Sequence, residues 1–205
     1  MGVYEDHVLP RIINVGCNQK SNREQRARVC EGLSGDVVEI GFGSGLNIPH
    51  YPQAVRRVAA VEPADVGWKL ASGRIAETAT PIERSGLDGQ SLPFADDSFD
   101  AALSTWTMCT IPDIDAALRE LRRVLRPGGR LHFVEHGLAP DESVRRWQNR
   151  LNPLQNRMFG GCNLNRPTVD LLRGAGFEID QVDVYYEKGA PRFLAAQTLG
   201  VARSD

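Results

Sequence analysis

The first residues with chemical promise are Glu39-Ile40-Gly41-Phe42-Gly43-Ser44-Gly45, a glycine-rich turn. Its glycines let the backbone bend sharply and approach a ligand with no Cβ in the way. Glu62 follows Gly41 by 21 residues, with Pro63 next. An acid about 20 residues beyond such a loop is placed to accept hydrogen bonds from ribose hydroxyls. The alternative is a plain strand exit and a solvated acid, and the pairing of loop with acid favours a nucleotide-like ligand. A dinucleotide site wants glycines at positions 1, 3 and 6. Here the sixth position is Leu46, and the third glycine comes one place early, at Gly45. Glu39 also stands two residues before the first glycine. A carboxylate there would sit badly beside a pyrophosphate, but suits the cationic amino group of a methionine moiety, directly or through water. S-adenosylmethionine is therefore the expected cofactor.

These groups need strands that deliver them. Val37–Ile40 reads as a short buried strand ending at the loop, and Val55–Val61 as one ending at Glu62. Further strands are predicted over 81–85, 99–105, 130–135, 177–186 and 193–202. Helices are predicted over 4–17, over 21–33 with Ser21 as N-cap and Glu24 completing a capping box, and over 64–79. Another spans 113–125, with Ile114, Ala117, Leu118, Leu121 and Leu125 on one face and Pro127-Gly128-Gly129 as its stop. The last two cover 144–159, bent or broken at Pro153, and 166–174. Helices alternating with short apolar strands predict a parallel sheet covered on both faces. A length of 205 residues favours one domain.

Ligands of an open α/β sheet gather beyond the carboxyl ends of its strands. That rule selects Trp106, Met108, Cys109, Glu135, His136, Trp147, Cys162, Asn163 and Arg166 as acceptor-side candidates. Each has a bland alternative: a hydrogen-bonding histidine at a strand end, two buried apolar cysteines, a turn-capping Asn163, a solvated Arg166, and packing roles for Trp147 and Phe159.

Other motifs join the loop and its acid: Asp88-Gly89-Gln90-Ser91-Leu92-Pro93-Phe94, Asp97-Ser98-Phe99-Asp100 and Leu125-Arg126-Pro127-Gly128-Gly129. With them, residues 37–134 resemble the class I S-adenosylmethionine-dependent methyltransferases of the type 11 group. The resemblance implies a Rossmann-like α/β fold: a seven-stranded, mostly parallel sheet with the last strand antiparallel and helices on both faces. It implies a single domain with an N-terminal helical lid (1–34), a cofactor-binding core (35–135) and acceptor-side helices and final strands (136–205). The expected cofactor contacts are Glu39, Gly41, Phe42, Gly43, Gly45, Glu62 and Pro63. The family pattern adds Asp88, Gly89 and Gln90 beside the adenine and Thr105 near the methionine end. The group usually has Ala-Glu where this chain has Gly89-Gln90.

The second half narrows the resemblance. Cys109-Thr110-Ile111, Glu135-His136 and Phe159-Gly160-Gly161-Cys162-Asn163-Leu164-Asn165-Arg166 are similar to the methyltransferase-like 7 proteins, thiol S-methyltransferases acting on hydrogen sulfide and small alkyl thiols. The membrane-associated members carry an apolar N-terminal anchor, and none is read here. The resemblance implies direct in-line methyl transfer to a small-molecule acceptor, with a thiol or sulfide expected. A thiol attacks as thiolate, and an ordinary alkyl thiol is only a few per cent ionised at neutral pH. His136 is the expected base, since an imidazole titrates near neutrality. Arg166 is expected to stabilise an anionic acceptor, with Cys162 and Asn163 beside it. Two alternatives stay open: methylation of a phospholipid headgroup or quinone precursor, and a non-catalytic cofactor-binding protein.

Composition sets the outer bounds. The 24 basic and 26 acidic residues leave a net charge of −2, which gives no general attraction to nucleic acid. The uncharged stretch Ala101–Pro112 has 12 residues, four of them Ser or Thr, and is too short to span a membrane. No signal peptide is read at the N-terminus. The four cysteines form no C-x-x-C pair, so neither a metal nor a disulfide framework is expected, and the expected compartment is the cytoplasm. Residues 143–169 contain Arg145, Arg146, Arg150, Arg157 and Arg166 and no acid. That is a solvated face or a contact for an anionic ligand or membrane surface.

Overall fold

The computed structural model describes residues 17–205, with Arg11 and Asn14 ahead of them. Most of the predicted 4–17 helix, and with it the amino-terminal half of the 1–34 segment, lies outside the described residues. The elements run α1 (Lys20–Cys30), β1 (Gly35–Ile40), β2 (Val55–Val61), α2 (Asp65–Glu77), β3 (Ile82–Gly86), β4 (Phe99–Thr105), α3 (Ile114–Val124), β5 (Leu125–His136), α4 (Glu142–Met158), α5 (Thr168–Gly174), β6 (Phe177–Tyr186), α6 (Arg192–Ala195) and β7 (Ala196–Ser204).

The strands form one seven-stranded sheet in the order β3-β2-β1-β4-β5-β7-β6. Strands β1 to β5 are parallel, and β7 runs antiparallel to both β5 and β6. The expected Rossmann-like class I fold is the one observed. Strand order reverses between β1 and β4, so the carboxyl ends of these two strands form the crevice where such sheets bind ligands.

Burial explains the strand sequences. All of β1 except Asp36 is buried, because both sheet faces are covered. One face packs Val38, Ile40, Phe99, Leu131 and Phe133 against Leu118 and Leu121 of α3. The other packs Val37, Leu103 and Val134 against Val29 of α1 and Leu33. Helix α3 carries the predicted apolar stripe; Asp113 caps it by accepting from Ala116 N at 2.9 Å, and Arg122 and Arg123 complement its carboxyl end.

Several predicted boundaries move. Helix α1 begins two residues past Asn18 with Gln19 as N-cap, since Arg23 N–H already bonds the Gln19 carbonyl; Ser21 lies inside the helix. It ends at Cys30, ahead of Gly32 at φ +78°. The Pro127-Gly128-Gly129 turn interrupts strand pairing instead of preceding it: Leu125 pairs with Phe99 and Arg130 with Ala101, and the register shifts between them. Helix α4 runs unbroken through Pro153, whose missing N–H falls opposite the exposed Asn149. The predicted strand at 193 is one helical turn, α6, where the N–H groups of Leu194 and Ala195 both bond the Pro191 carbonyl; β7 follows it. Among the described residues no helix is long and apolar enough to cross a membrane.

Candidate active site at the carboxyl ends of the strands

The glycine loop leaves β1 with Gly41, Gly43 and Gly45 all at positive φ (66°, 57° and 72°). Two of them are also packed tight. A Cβ at Gly41 would lie 1.9 Å from Thr107 Oγ1, and one at Gly45 would lie 2.8 Å from Ile48 Cδ1. Gly43 differs: nothing lies closer than the Gly41 carbonyl at 3.8 Å, so its backbone is the open part of the cradle. Glu62 sits over this point. Its Oε2 accepts from Gly43 N at 2.6 Å and its Oε1 from Ala64 N at 2.7 Å. Each oxygen keeps further acceptor capacity. Burial pushes the Glu62 carboxyl up. The Phe42 side chain is buried against Trp68, with ring centroids 5.4 Å apart. The Pro63 carbonyl accepts from Arg84 Nη2 at 3.2 Å.

Glu39, fully buried, anchors a polar network. Asn47 Nδ2 donates to Glu39 Oε1 at 2.9 Å, and Tyr51 Oη donates to Glu39 Oε2. Asn47 Nδ2 also reaches Thr105 Oγ1 at 3.0 Å. Arg26, from α1, donates through Nη1 to Asn47 Oδ1 at 2.6 Å and to Thr105 Oγ1 at 3.0 Å, and lies 4.7 Å from the centre of the Trp106 ring. Burial pushes the Glu39 carboxyl up to about 7, against the Tyr51 and Asn47 hydrogen bonds and the Arg26 charge. Trp106 holds φ +51°, an uncommon conformation for a bulky residue. Sequence reasoning missed Arg26, Asn47 and Tyr51. The available signal was a polar residue, Asn47, two places past the last loop glycine.

The Asp88-Gly89-Gln90 turn reaches the same edge, where a Cβ at Gly89 would lie 3.6 Å from Ile111 Cδ1 and 3.8 Å from Ile40 Cγ2. Gln90 is a clasp: its Nε2 donates to Asp88 Oδ1 at 3.0 Å and its Oε1 accepts from Asp113 N at 2.8 Å.

A second cluster forms from three separate segments. Cys109 Sγ and Cys162 Sγ are 3.7 Å apart, and His136 Nδ1 is 3.9 Å from the first and 3.7 Å from the second. Both cysteines are buried, and all three ligand-type atoms lie within 4.8 Å of one another. The Cys109 thiol is held well above its ordinary range by contact with Cys162 and by burial. Contact with Cys109, then His136, draws Cys162 down to about 4 against the burial that opposes it.

The segment after β4 links the two clusters. Thr105 belongs to the Glu39 network, Thr107 packs on Gly41, and Cys109 faces His136. Glu135, fully buried, holds this segment by accepting from Ser104 Oγ (2.7 Å) and from the backbone N–H groups of Thr107 (3.0 Å), Met108 (3.1 Å) and Cys109 (3.2 Å). Asn163 Nδ2 and the Asn163 backbone N–H both donate to the Cys109 carbonyl, at 3.1 and 2.9 Å. Arg166 uses its guanidinium on the carbonyls of Met108 and Ile111. The predicted acceptor-side residues thus divide: Cys162 and His136 face Cys109, whereas Asn163 and Arg166 clasp the loop that carries it.

On α4, Arg145 turns back to the Ala139 and Pro140 carbonyls, and Arg146 lies 3.9 Å from Glu142. Arg150 and Arg157 are exposed. Trp147 and Phe159, expected as packing residues, are instead 56% and 41% exposed, because the buried side of α4 is formed by Val144 and Gln148. Two clefts of about 350 and 300 Å³, the first lined by Asp97 and Arg122 and the second by Gly32 and Asp100, lie at the opposite, amino ends of the strands.

Comparison with known proteins gives a consistent picture. Residues 38–133 match the model of a methyltransferase domain. The chain is 34% identical to human thiol S-methyltransferase TMT1B over 181 residues, covering 80% of this chain and 73% of that protein. It is 34% identical to human thiol S-methyltransferase TMT1A over 145 residues, covering 69% of this chain and 59% of that relative. A solved S-adenosylmethionine-dependent methyltransferase from Thermotoga maritima superposes with a TM-score of 0.70 at 21% identity, covering 97% of this chain and 99% of the other.

Proposed function

The chain belongs to the class I S-adenosylmethionine-dependent methyltransferases, and we propose that it methylates a small thiol or sulfide. One observation carries the reading. The segment from Thr105 to Cys109 touches the glycine-loop network at one end and the buried Cys109–His136–Cys162 cluster at the other. Four residues of chain reach at most roughly 14 Å, so the two sites are neighbours.

The residues fit the cofactor. The cradle is open at Gly43, where an added Cβ would touch nothing within 3.8 Å, and a buried carboxylate lies directly over it. Glu62 would accept the ribose hydroxyls, Gly41, Gly43 and Gly45 would let the backbone close on the ligand, and Asp88-Gly89-Gln90 would border the adenine. Glu39, through its network with Asn47 and Thr105, would balance the methionine ammonium. When bound, S-adenosylmethionine supplies an activated sulfonium methyl group. The protein's task is then to orient a nucleophile and exclude water. Buried Cys109 and Cys162 make the acceptor site dry and soft, His136 faces them, and Glu135, Asn163 and Arg166 hold the loop in position. The similarity to two human thiol S-methyltransferases supports this acceptor class.

The test incubates the protein and S-adenosylmethionine with sulfide, a small alkyl thiol, phosphatidylethanolamine vesicles or a quinol precursor, and identifies products by mass spectrometry. Methylthio product from sulfide or thiol is expected. Turnover with lipid or quinol alone would overturn the thiol assignment, and cofactor binding without any turnover would favour a non-catalytic role.

A second reading has its own observation. On α4, exposed Trp147 and Leu154 form an apolar stripe, and Arg146, Arg150 and Arg157 line one flank of it. That pattern suits a helix lying on an anionic lipid surface, from which a lipophilic acceptor would enter. Co-sedimentation with anionic but not zwitterionic vesicles, lost in Trp147→Glu, is the result this reading requires.

A further inference from the structure

The Cys109–His136–Cys162 cluster has the dimensions of a metal site. Zinc bound tetrahedrally by sulfur at ~2.3 Å and imidazole nitrogen at ~2.0–2.1 Å sets its ligand atoms roughly 3.8 Å (S–S) and 3.6 Å (S–N) apart. The observed edges are 3.7 Å for S–S and 3.7 and 3.9 Å for S–N. The three atoms therefore outline one face of a tetrahedron. Two thiolates and one imidazole are the donor set of zinc, and three protein ligands with a free fourth position are the pattern of sites that bind substrate on the metal. We propose that Cys109 Sγ, His136 Nδ1 and Cys162 Sγ form a zinc(II) site whose open position takes the sulfur acceptor as a thiolate.

The surroundings are built to hold such ligands rigidly. The Cys109 N–H is fixed by Glu135 and its carbonyl by Asn163. Cys162 follows a tight turn, Gly160 and Gly161 at φ +58° and +85°, closed by hydrogen bonds from Gly161 N to the Asn156 carbonyl and from Cys162 N to the Phe159 carbonyl. His136 ends β5 and is paired in register with Gln197 of β7. Outer groups that fix ligands in this way are a regular part of metal sites. Sequence spacing gave no sign of it, because the ligands come from three segments 27 and 26 residues apart.

The metal site stands on geometry, while its use on substrate rests on the thiol-methylation reading. Coordination converts the acceptor thiol to a zinc-bound thiolate and releases one proton to water. His136 then acts as a ligand and not as the base.

The experiment uses the full chain, reduced and metal-free, titrated with Zn(II) and Co(II). One zinc per chain is expected, with a tetrahedral Co(II) spectrum showing thiolate charge transfer. Cys109→Ser, Cys162→Ser and His136→Asn should each weaken metal binding by at least ~100-fold, and Cys30→Ala, at the buried carboxyl end of α1, should not. In the unmutated protein zinc should shield Cys109 and Cys162 from alkylation; this measurement holds even where a variant fails to fold. No stoichiometric zinc, or equal alkylation with and without it, overturns the site. Sulfide or an alkyl thiol should shift the Co(II) bands. Undiminished thiol methylation by metal-free protein would overturn the substrate role and leave the thiol reading intact. A shifted Co(II) spectrum without methylthio product would support the metal site and defeat the thiol reading.

Discussion

Replacing Glu39 by Gln removes a buried charge while keeping the side chain's size. In the native protein burial lifts this carboxyl from 4.5 to about 7, against the hydrogen bonds from Tyr51 and Asn47 and the charge of Arg26. An unfolded Glu titrates near ~4.3. Between those pH values the folded chain keeps a proton that the unfolded chain has released. Stability from this group is therefore fully present below the unfolded value and is lost as pH rises through the folded one. The difference corresponds to about 3 kcal/mol. The assay is urea unfolding of both proteins from pH 4 to pH 8, plotted as the difference in unfolding free energy. Glu39→Gln should gain on the native protein by about 3 kcal/mol across the interval from pH 4.5 to 7, with little change outside it. A difference that stays flat with pH would refute the assignment of a strained buried carboxylate. S-adenosylmethionine affinity, measured by calorimetry, should rise with pH in the native protein as Glu39 ionises and lose that dependence in the variant.

Three further outcomes follow from the same geometry. Glu135→Gln turns one acceptor oxygen into a donor facing backbone N–H groups, which should cost about 2–4 kcal/mol in denaturant unfolding and speed alkylation of Cys109; a change under about 0.5 kcal/mol would contradict it. Gly41→Ala places a methyl 1.9 Å from Thr107 Oγ1 at φ +66° and should abolish measurable cofactor binding. Adding Thr107→Gly should restore part of it, leaving the left-handed backbone cost of ~1–2 kcal/mol. Gln148 donates to the Gly137 and Leu164 carbonyls at 3.0 and 2.8 Å and accepts from Ala139 N at 2.9 Å, so Gln148→Leu orphans three buried groups. The melting temperature should fall by roughly 5–15 °C.

The sheet was legible because its strands advertise themselves locally. Runs such as Val58–Val61 are apolar on both faces, and the alternation of helix and strand leaves few ways to connect them. Boundaries were less legible where hydrogen bonds compete. Pro191 starts a helical turn that apolar patterning alone reads as strand, and Pro127-Gly128-Gly129 disrupts pairing inside β5 where a helix stop was expected. On α4, an exposed Trp147 overrode the expectation of packing, because one-dimensional patterning cannot say which face meets the core when the buried positions include Gln148.

By itself the sequence determined the α/β fold, the family and the glycine loop with its acid, because each is carried by contiguous residues whose backbone demands are local. Only the tertiary structure decided that Arg26, Asn47, Tyr51 and Thr105 gather around Glu39, and that Cys109, His136 and Cys162 meet within 3.9 Å. Asn47 and Tyr51 follow Glu39 closely, but Arg26 and Thr105 come from opposite sides of it, 79 residues apart, and the members of the cysteine–histidine cluster are 26 and 27 residues apart. Their meeting depends on strand order, on the register of β4 against β5, and on the Gly160-Gly161 turn that follows α4. No spacing rule encodes such distances, since they are set by long-range packing.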